Sequence, residues 1–136
     1  MIRVKLAVCG QDVVRDAASN NISVFNVYEG VTAEGFPLLM SPFAFLVVLE
    51  RDLTDPVQHA GRFELRLGDT VLGEGAMTVD FEDKKRTRQI IKVGGLVLPV
   101  PGVVSAKFFL DQQQLAEYIF EVERAAAPPP PQVIPA

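Results

Sequence analysis

The chain has 136 residues, the length of one domain, and a chain of this size buries roughly two-thirds of its unfolded surface. Hydrophobic residues make up 49% and include nine phenylalanines, so we expect a core that needs neither metal nor disulfide. The net charge of −4 argues against general affinity for nucleic acid, which depends on excess lysine and arginine.

Several features indicate a cytoplasmic, soluble protein that does not contact membranes. The single cysteine, Cys9, cannot form an intramolecular disulfide, so nothing indicates an oxidising compartment. Arg3 and Lys5 interrupt the first apolar residues, which does not fit a secretion signal. The apolar run at residues 43–49 is far shorter than the roughly 20 residues of a membrane-spanning helix.

Short segments of alternating polarity predict strands through the first half of the chain. In residues 2–8 the alternation places Ile2, Val4 and Leu6 on one face and Cys9 on the opposite face. An apolar run without alternation predicts a strand covered on both faces, and a Gly-Asp turn predicts a hairpin. The further predicted strands are residues 22–31, 43–50, 62–67 and 71–81, the last two forming the hairpin.

Polar and proline-containing stretches predict the connections between these strands. Residues 11–21 are turn-prone, with a short helix at residues 12–18 as the alternative. Residues 34–42 are predicted as a connection whose apolar Leu38–Met40 caps one end of the core. Residues 51–61 are predicted as a loop.

The last part of the chain predicts three strands, residues 88–98, 103–110 and 115–122, separated by tight turns. About eight short strands without a long amphipathic helix predict an all-β, antiparallel β-sandwich of seven to nine strands with Greek-key, Ig-like connections, over residues 1–124. The core positions expected from this pattern are Leu6, Val24, Phe45, Val47, Phe63, Leu65, Phe108 and Ile119.

Residues 125–136 differ in kind, because three alanines precede four prolines and little apolar content remains. Consecutive prolines favour an extended polyproline II segment. Either this segment is a solvated tail, or it is a docking peptide. In the second case Pro128, Pro129, Val133 and Ile134 are the candidate contact residues.

The sequence offers little material for catalysis, and we predict neither catalytic residues nor a cofactor. The only histidine, His59, lies in the predicted 51–61 loop, without a serine or cysteine nearby in sequence. Cys9 is expected to act as a small hydrophobic residue. Gly73, Gly75 and the Gly94–Gly95 pair fall within strand patterns and do not form a phosphate-binding loop.

One charged loop, at residues 82–86, is a candidate metal site. Asp80, Glu82 and Asp83 lie close in sequence, and sandwich loops with such carboxylates can bind calcium. However, Lys84 and the basic residues through Arg88 follow directly and compensate the negative charge. We therefore predict a solvated loop and no metal. The basic residues can also contact an acidic partner, although four of them are a weak signal in an acidic chain.

The order of these segments resembles a family of small bacterial proteins known only as a domain of unknown function. The similarity lies in residues 4–9, 21–28, 43–49 and 95–102, where hydrophobic strands and a Pro-Gly turn recur in the same order. It extends over most of residues 1–124. The resemblance implies a β-sandwich and transfers no functional residue.

We therefore predict a non-catalytic interaction or assembly module, not an enzyme, that forms a homo-oligomer or binds a protein partner. The edges at residues 22–28 and 103–110 carry few charges and favour pairing between copies. The alternative is a domain that binds a small ligand or carbohydrate in a pocket at one end of the sandwich. The absence of tryptophan and the presence of only two tyrosines count against stacking on sugars.

Overall fold

The computed structural model describes residues 1–126 as eleven β-strands, and no helix occurs in this part of the chain. The predicted all-β class is therefore confirmed. In chain order the strands are β1 (Arg3–Arg15), β2 (Ile22–Val27), β3 (Gly30–Ala33), β4 (Leu38–Met40), β5 (Phe43–Glu50), β6 (Gln58–Leu67), β7 (Thr70–Asp80), β8 (Arg86–Val93), β9 (Leu96–Leu98), β10 (Gly102–Leu110) and β11 (Gln113–Arg124).

These strands form two larger sheets and one two-stranded ribbon. The four-stranded sheet has the order β2-β1-β5-β8, the five-stranded sheet has the order β3-β11-β10-β6-β7, and β4 pairs with β9. Neighbours are antiparallel except for β3 and β11, which are parallel. The strand count exceeds the predicted eight because β3, β4 and β9 are short segments of three or four residues.

Both larger sheets contribute side chains to one buried cluster. Phe45 and Val47 of β5 meet Leu65 of β6 and Phe108 of β10, and all four are fully buried. These four predicted core positions are confirmed. Removing a side chain of this size from water contributes about 1.5–3 kcal/mol each to folding.

A β-bulge in β1 overturns part of the predicted core. The pairing of β1 with β5 shifts between Val4 and Leu6, so the alternation changes phase at Lys5. Leu6 is consequently 45% exposed, whereas Cys9 is fully buried in the same cluster as Val4. The predicted burial of Leu6 and the predicted opposite face of Cys9 are both wrong, because one extra residue exchanges the two faces.

Two other core predictions, at Ile119 and Phe63, need correction. Ile119 is 53% exposed because Ala116, Phe120 and Val122 occupy the inward positions of β11. That strand has apolar residues in both phases, so alternation alone cannot decide between them. Phe63 is only half-buried against the main cluster.

A second, smaller core explains why β5 is apolar on both faces. Strand β1 continues to Arg15 where a turn or short helix was predicted, and pairs with β2 to form the β1–β2 hairpin (residues 10–27). Buried Val13 of this hairpin packs on Ala44 and Leu46, which lie on the outer face of β5. Val24 belongs to this second core and is half-buried there. The prediction that the 43–50 strand is covered on both faces is confirmed.

The sheet edges differ in part from those predicted. Strand β10 lies between β11 and β6, so the prediction that residues 103–110 form an edge is wrong. Strand β2 is at an edge of its sheet, as predicted for residues 22–28. Position in the sheet depends on which distant strands pair, and β10 pairs with partners on both sides.

Candidate functional site

The contact residues predicted from sequence, Pro128, Pro129, Val133 and Ile134, lie outside the described residues 1–126. The structure shows the positions of Arg124 and Ala125, which precede this segment.

The backbone N–H of Ala125 donates to the carbonyl of Ala33 over 2.8 Å, which extends the pairing of β11 with β3. The Arg124 guanidinium lies 5.1 Å from the centroid of the Phe36 ring, two residues before β4. Arg124 therefore lies against the segment that leads into β4.

The ribbon exposes apolar side chains. Leu39 and Val97 are direct cross-strand partners, 61% and 54% exposed, and Val100 in the following turn is 54% exposed. Their neighbours Leu38, Met40, Leu96 and Leu98 point the other way and belong to or pack on the main core. We call this region, β4 and β9 with the turn through Val100, the ribbon end. Leu38–Met40 was predicted to cap the core from a connection, and the structure shows these residues in a strand that does so.

Aromatic packing and a few neutral hydrogen bonds hold the ribbon end on the sheets. The Tyr28 ring stacks on Phe43 with centroids 5.6 Å apart, and on Phe120 with centroids 5.5 Å apart. The Tyr28 hydroxyl donates to the Pro42 carbonyl over 3.2 Å. The Ser41 hydroxyl donates to the Gly94 carbonyl over 2.6 Å, tying β4 to the approach to β9.

The opposite end of the molecule, where β5 finishes, is charged. Buried Glu50 accepts from Arg3 over 2.9 Å and from Arg86 over 2.7 Å. These two guanidinium groups lower the pKa of Glu50 to about 2. Asp52 lies beside them and accepts from Arg3 and from the amino group of Met1.

Arg51 is buried at this charged end and holds two of its loops together. It is only 4% exposed, and its guanidinium donates to three backbone carbonyls, those of Lys84 (2.7 Å), Leu53 (3.3 Å) and Asp55 (3.1 Å). Arg51 thereby ties the β5–β6 loop to the β7–β8 connection. A guanidinium, which has five donors and no acceptor, suits a site made only of carbonyl oxygens.

A cavity of about 450 Å³ opens beside the charged end, between the tip of the β1–β2 hairpin and the β7–β8 connection. Its apolar part consists of Ile22, Val48 and Phe81. Its cationic part consists of Lys84 and, from β8, Arg86 and Arg88. We call this cavity the basic pocket. The basic residues are evident in the sequence as a cluster, but the pocket is not. The hairpin tip at Asn20 lies more than sixty residues from Lys84 in sequence.

Asn20, at the hairpin tip, completes the wall of the basic pocket. It adopts φ of 61°, which asparagine tolerates better than most residues. Its side-chain oxygen accepts from Arg15 over 3.3 Å and from Arg88 over 3.5 Å. The Ser19-Asn20-Asn21 sequence identified the turn, but no local signal placed Arg15 and Arg88 at one point.

Two of the three carboxylates considered as a calcium site, Asp80 and Glu82, line this pocket. Asp80 accepts from the Glu82 backbone N–H over 2.8 Å and from Gln58 over 3.4 Å. Glu82 and Asp83 both have positive φ and form the tight turn into β8. Within residues 1–126 no group of three or more histidine, cysteine, aspartate or glutamate side chains is placed to hold a metal ion.

His59 lies in strand β6, which corrects its predicted place in a surface loop. Its side chain is 7% exposed and contacts the Asp111 carboxylate at 2.6 Å and the Pro56 carbonyl at 2.8 Å. The hydrogen bond from His59 lowers the pKa of Asp111. Burial raises the pKa of the Cys9 thiol, which disfavours the reactive thiolate.

Comparison with known proteins identifies the family. Residues 6–123 match a family described as a family of unknown function (DUF6941), and the chain belongs to this family. The predicted resemblance to a domain of unknown function is thus confirmed. A search of curated proteins finds no match.

The chain is also similar to a solved structure, the Pseudomonas fluorescens alkylpurine DNA glycosylase AlkC bound to DNA containing an abasic site analog. The identity is 9% and the TM-score is 0.44. The match covers 90% of this chain and 30% of that chain, so this chain spans under a third of the glycosylase. In residues 1–126 no helix is long and apolar enough to cross a membrane.

Proposed function

We propose that this chain is a non-catalytic interaction or assembly module whose contact surface is the ribbon end. The observation that carries the proposal is the exposure of Leu39, Val97 and Val100, each more than half accessible on one small ribbon. Side chains of this kind gain free energy when a partner removes them from water. Clustered exposed apolar residues, unlike scattered ones, are typical of interaction sites.

The absence of charged residues from the two segments that contain the ribbon strands supports an apolar partner. Residues 35–49 and 93–106, which contain both ribbon strands, include no lysine, arginine, aspartate or glutamate. An apolar partner therefore covers the ribbon without desolvating an ionised group of these segments, a step that costs several kcal/mol when the charge is left unpaired.

We infer that the occupant is the C-terminal segment of a second copy of the chain. Arg124, three residues before the start of residues 127–136, contacts Phe36, which lies two residues before β4. Four prolines separate that start from Val133 and Ile134, and polyproline II advances about 3.1 Å per residue. An extended spacer of this kind spans roughly 25 Å between Ala125 and Val133, which is long enough to reach a second copy. Reciprocal exchange between two copies is a twofold arrangement, the commonest oligomeric symmetry.

A non-catalytic role is consistent with the two side chains best suited to catalysis. Both ring nitrogens of His59 are occupied, one by the Asp111 carboxylate and one by the Pro56 carbonyl. Cys9 is fully buried in the main core. Neither group is free to act on a substrate in this geometry.

We also infer that the two larger sheets form a Greek-key, Ig-like sandwich. The chain passes between the sheets from β5 to β6, from β7 to β8 and again before β10. In addition, β1 pairs with the distant β5 as well as with β2. Such crossovers are typical of Greek-key connections. An experimental structure in which β1 does not pair with β5 would contradict this inference.

Light scattering of the full chain at micromolar concentration tests the assembly. We expect twice the monomer mass of 14.9 kDa. The variants Leu39→Lys and Ile134→Lys each place a charge in the proposed contact, so we expect monomers from both. Leu53→Lys is the matched control, because Leu53 is 74% exposed in the loop at the charged end. This variant should remain a dimer.

Mixing the two monomeric variants sharpens the test. The intact tail of Leu39→Lys can dock on the intact ribbon of Ile134→Lys, so a weaker heterodimer should form. A wild-type mass near 14.9 kDa would overturn the proposal. A dimer that Leu39→Lys breaks and Ile134→Lys leaves intact would show that the ribbon is the contact surface and that the tail is not its occupant.

A further inference from the structure

Two guanidinium groups at the basic pocket share one uncharged acceptor. Nη1 of Arg15 and Nη1 of Arg88 lie 3.3 and 3.5 Å from the side-chain oxygen of Asn20. Within residues 1–126 neither arginine pairs with a carboxylate. An amide oxygen offsets two positive charges only weakly, since hydrogen bonds between ionised partners are roughly twice as strong. The arrangement favours an added anion.

Further cationic groups reach the cavity from other elements. Lys84 lines it from the β7–β8 connection and forms no ion pair with another residue in the described range. Arg86 uses Nε to donate to Glu50, which leaves its terminal nitrogens for another acceptor. Donors therefore line the cavity from the hairpin tip, where Asn20 has its amide N–H groups, from β8 and from the connection.

We propose that the basic pocket binds a phosphomonoester that carries a small apolar or aromatic group. A phosphate accepts hydrogen bonds in several directions, which suits donors from three elements, whereas a planar carboxylate best matches a single guanidinium. The volume of about 450 Å³ lies within the range of small-molecule sites. The half-buried apolar residues Ile22 and Val48 give the organic group a surface to cover.

The acidic rim restricts the ligand further. Asp80 and Glu82 line the same cavity and oppose a second anionic group on the far side of the ligand. The pocket should therefore favour one phosphate on an apolar body over polyphosphates. Sugars are poor candidates, because the one aromatic ring that lines the cavity, Phe81, is 1% exposed. The pocket lies at the opposite end of the fold from the ribbon, so this inference is independent of the proposed assembly.

Calorimetric titration of the full chain with phenyl phosphate tests the proposal, with inorganic phosphate and benzoate as comparison ligands. Phenyl phosphate should bind more tightly than either. Arg88→Gln and Lys84→Gln each remove one charged donor that lines the cavity, and each should weaken binding at least about tenfold. Lys85→Gln is the matched control, because it loses the same charge one residue from Lys84 without lining the cavity. It should bind like the wild type.

Three results would overturn the proposal. The first is no binding of phenyl phosphate at millimolar concentration. The second is an equal loss for Lys85→Gln and Arg88→Gln, which would indicate attraction to the general charge of the loop. The third is equal affinity for inorganic and phenyl phosphate, which would show that the apolar surface does not contribute to binding. Thermal melts of each variant test folding, and the exposed Lys84 supplies the second variant if Arg88→Gln is unstable.

Discussion

At the ribbon end, the strands are closed by stacked rings and neutral hydrogen bonds around Tyr28 and Phe43, whereas at the opposite end they are closed by Glu50, Arg3 and buried Arg51. The same strand, β5, begins at one end and finishes at the other. The ribbon end is stabilised mainly by removing apolar surface from water, which depends little on pH. The charged end is stabilised by ionised groups, so its contribution depends on their protonation. The two ends should therefore respond differently to the same perturbation and recognise different partners.

The largest effect is expected at the ribbon end, from Phe43→Ala. Phe43 is fully buried and stacks on Tyr28, so its removal leaves a large cavity. We expect a loss of about 3–5 kcal/mol in the free energy of unfolding, measured by urea titration. Phe25→Ala is the control, because Phe25 is 51% exposed on the outer face of the β1–β2 hairpin, and it should cost under about 1 kcal/mol. Similar losses for the two variants would refute the assigned packing.

At the charged end, Arg51→Met should have the next largest effect. The change leaves three backbone carbonyls without their donor, and hydrogen bonds to charged groups contribute about 1.5–3 kcal/mol. We expect a loss in that range by urea titration. Lys85→Met, at an exposed position nearby, should change stability by no more than about 0.5 kcal/mol. If Arg51→Met lowered the free energy of unfolding no more than Lys85→Met does, the inference that the Arg51 guanidinium stabilises this end would be wrong.

Glu50→Gln should produce a smaller loss, because glutamine keeps the shape and one acceptor oxygen, and this loss should depend on pH. The pKa of Glu50 is about 2 in the folded chain, below the ordinary value near 4.3. The ionised carboxylate therefore stabilises the fold above about pH 4.3, and this contribution is lost as the pH falls toward about 2. Thermal midpoints of the two proteins should differ at neutral pH and converge in acid. A difference that persists unchanged at low pH would contradict the ion pairs.

The smallest effect is expected from Ser41→Ala at the ribbon end. This variant removes the hydrogen bond from the Ser41 hydroxyl to the Gly94 carbonyl, worth about 0.5–1.5 kcal/mol. Because neither group is charged, the loss should be the same at about 0.1 M and about 1 M salt. Glu50→Gln, compared over the same salt range, should be the more sensitive of the two. If the loss of stability from Ser41→Ala depended on salt, the inference that only the charged end is stabilised by ionised groups would be contradicted.

Local pattern was sufficient for much of the strand content. The apolar run of β5 and the alternation at residues 62–67 predicted these strands, with Leu65 buried, and the Gly-Asp turn predicted the hairpin of β6 and β7. The prediction of buried faces from alternation failed at Lys5, where the bulge exchanges the two faces of β1. Alternation identifies the buried face of a strand only up to the point where an unpaired residue is inserted. It also failed at Ile119, in a strand with apolar residues in both phases.

By itself, then, the sequence determined the all-β class and most of the apolar faces, since these follow from composition and from a period of two residues. Only the tertiary structure decided that β10 is central, that the β1–β2 hairpin covers the outer face of β5, and that Arg15 and Arg88 meet at Asn20. Each of these depends on pairing or packing between segments distant along the chain. Side-chain alternation reports which face of a strand is buried but carries no information about which strand lies beside it.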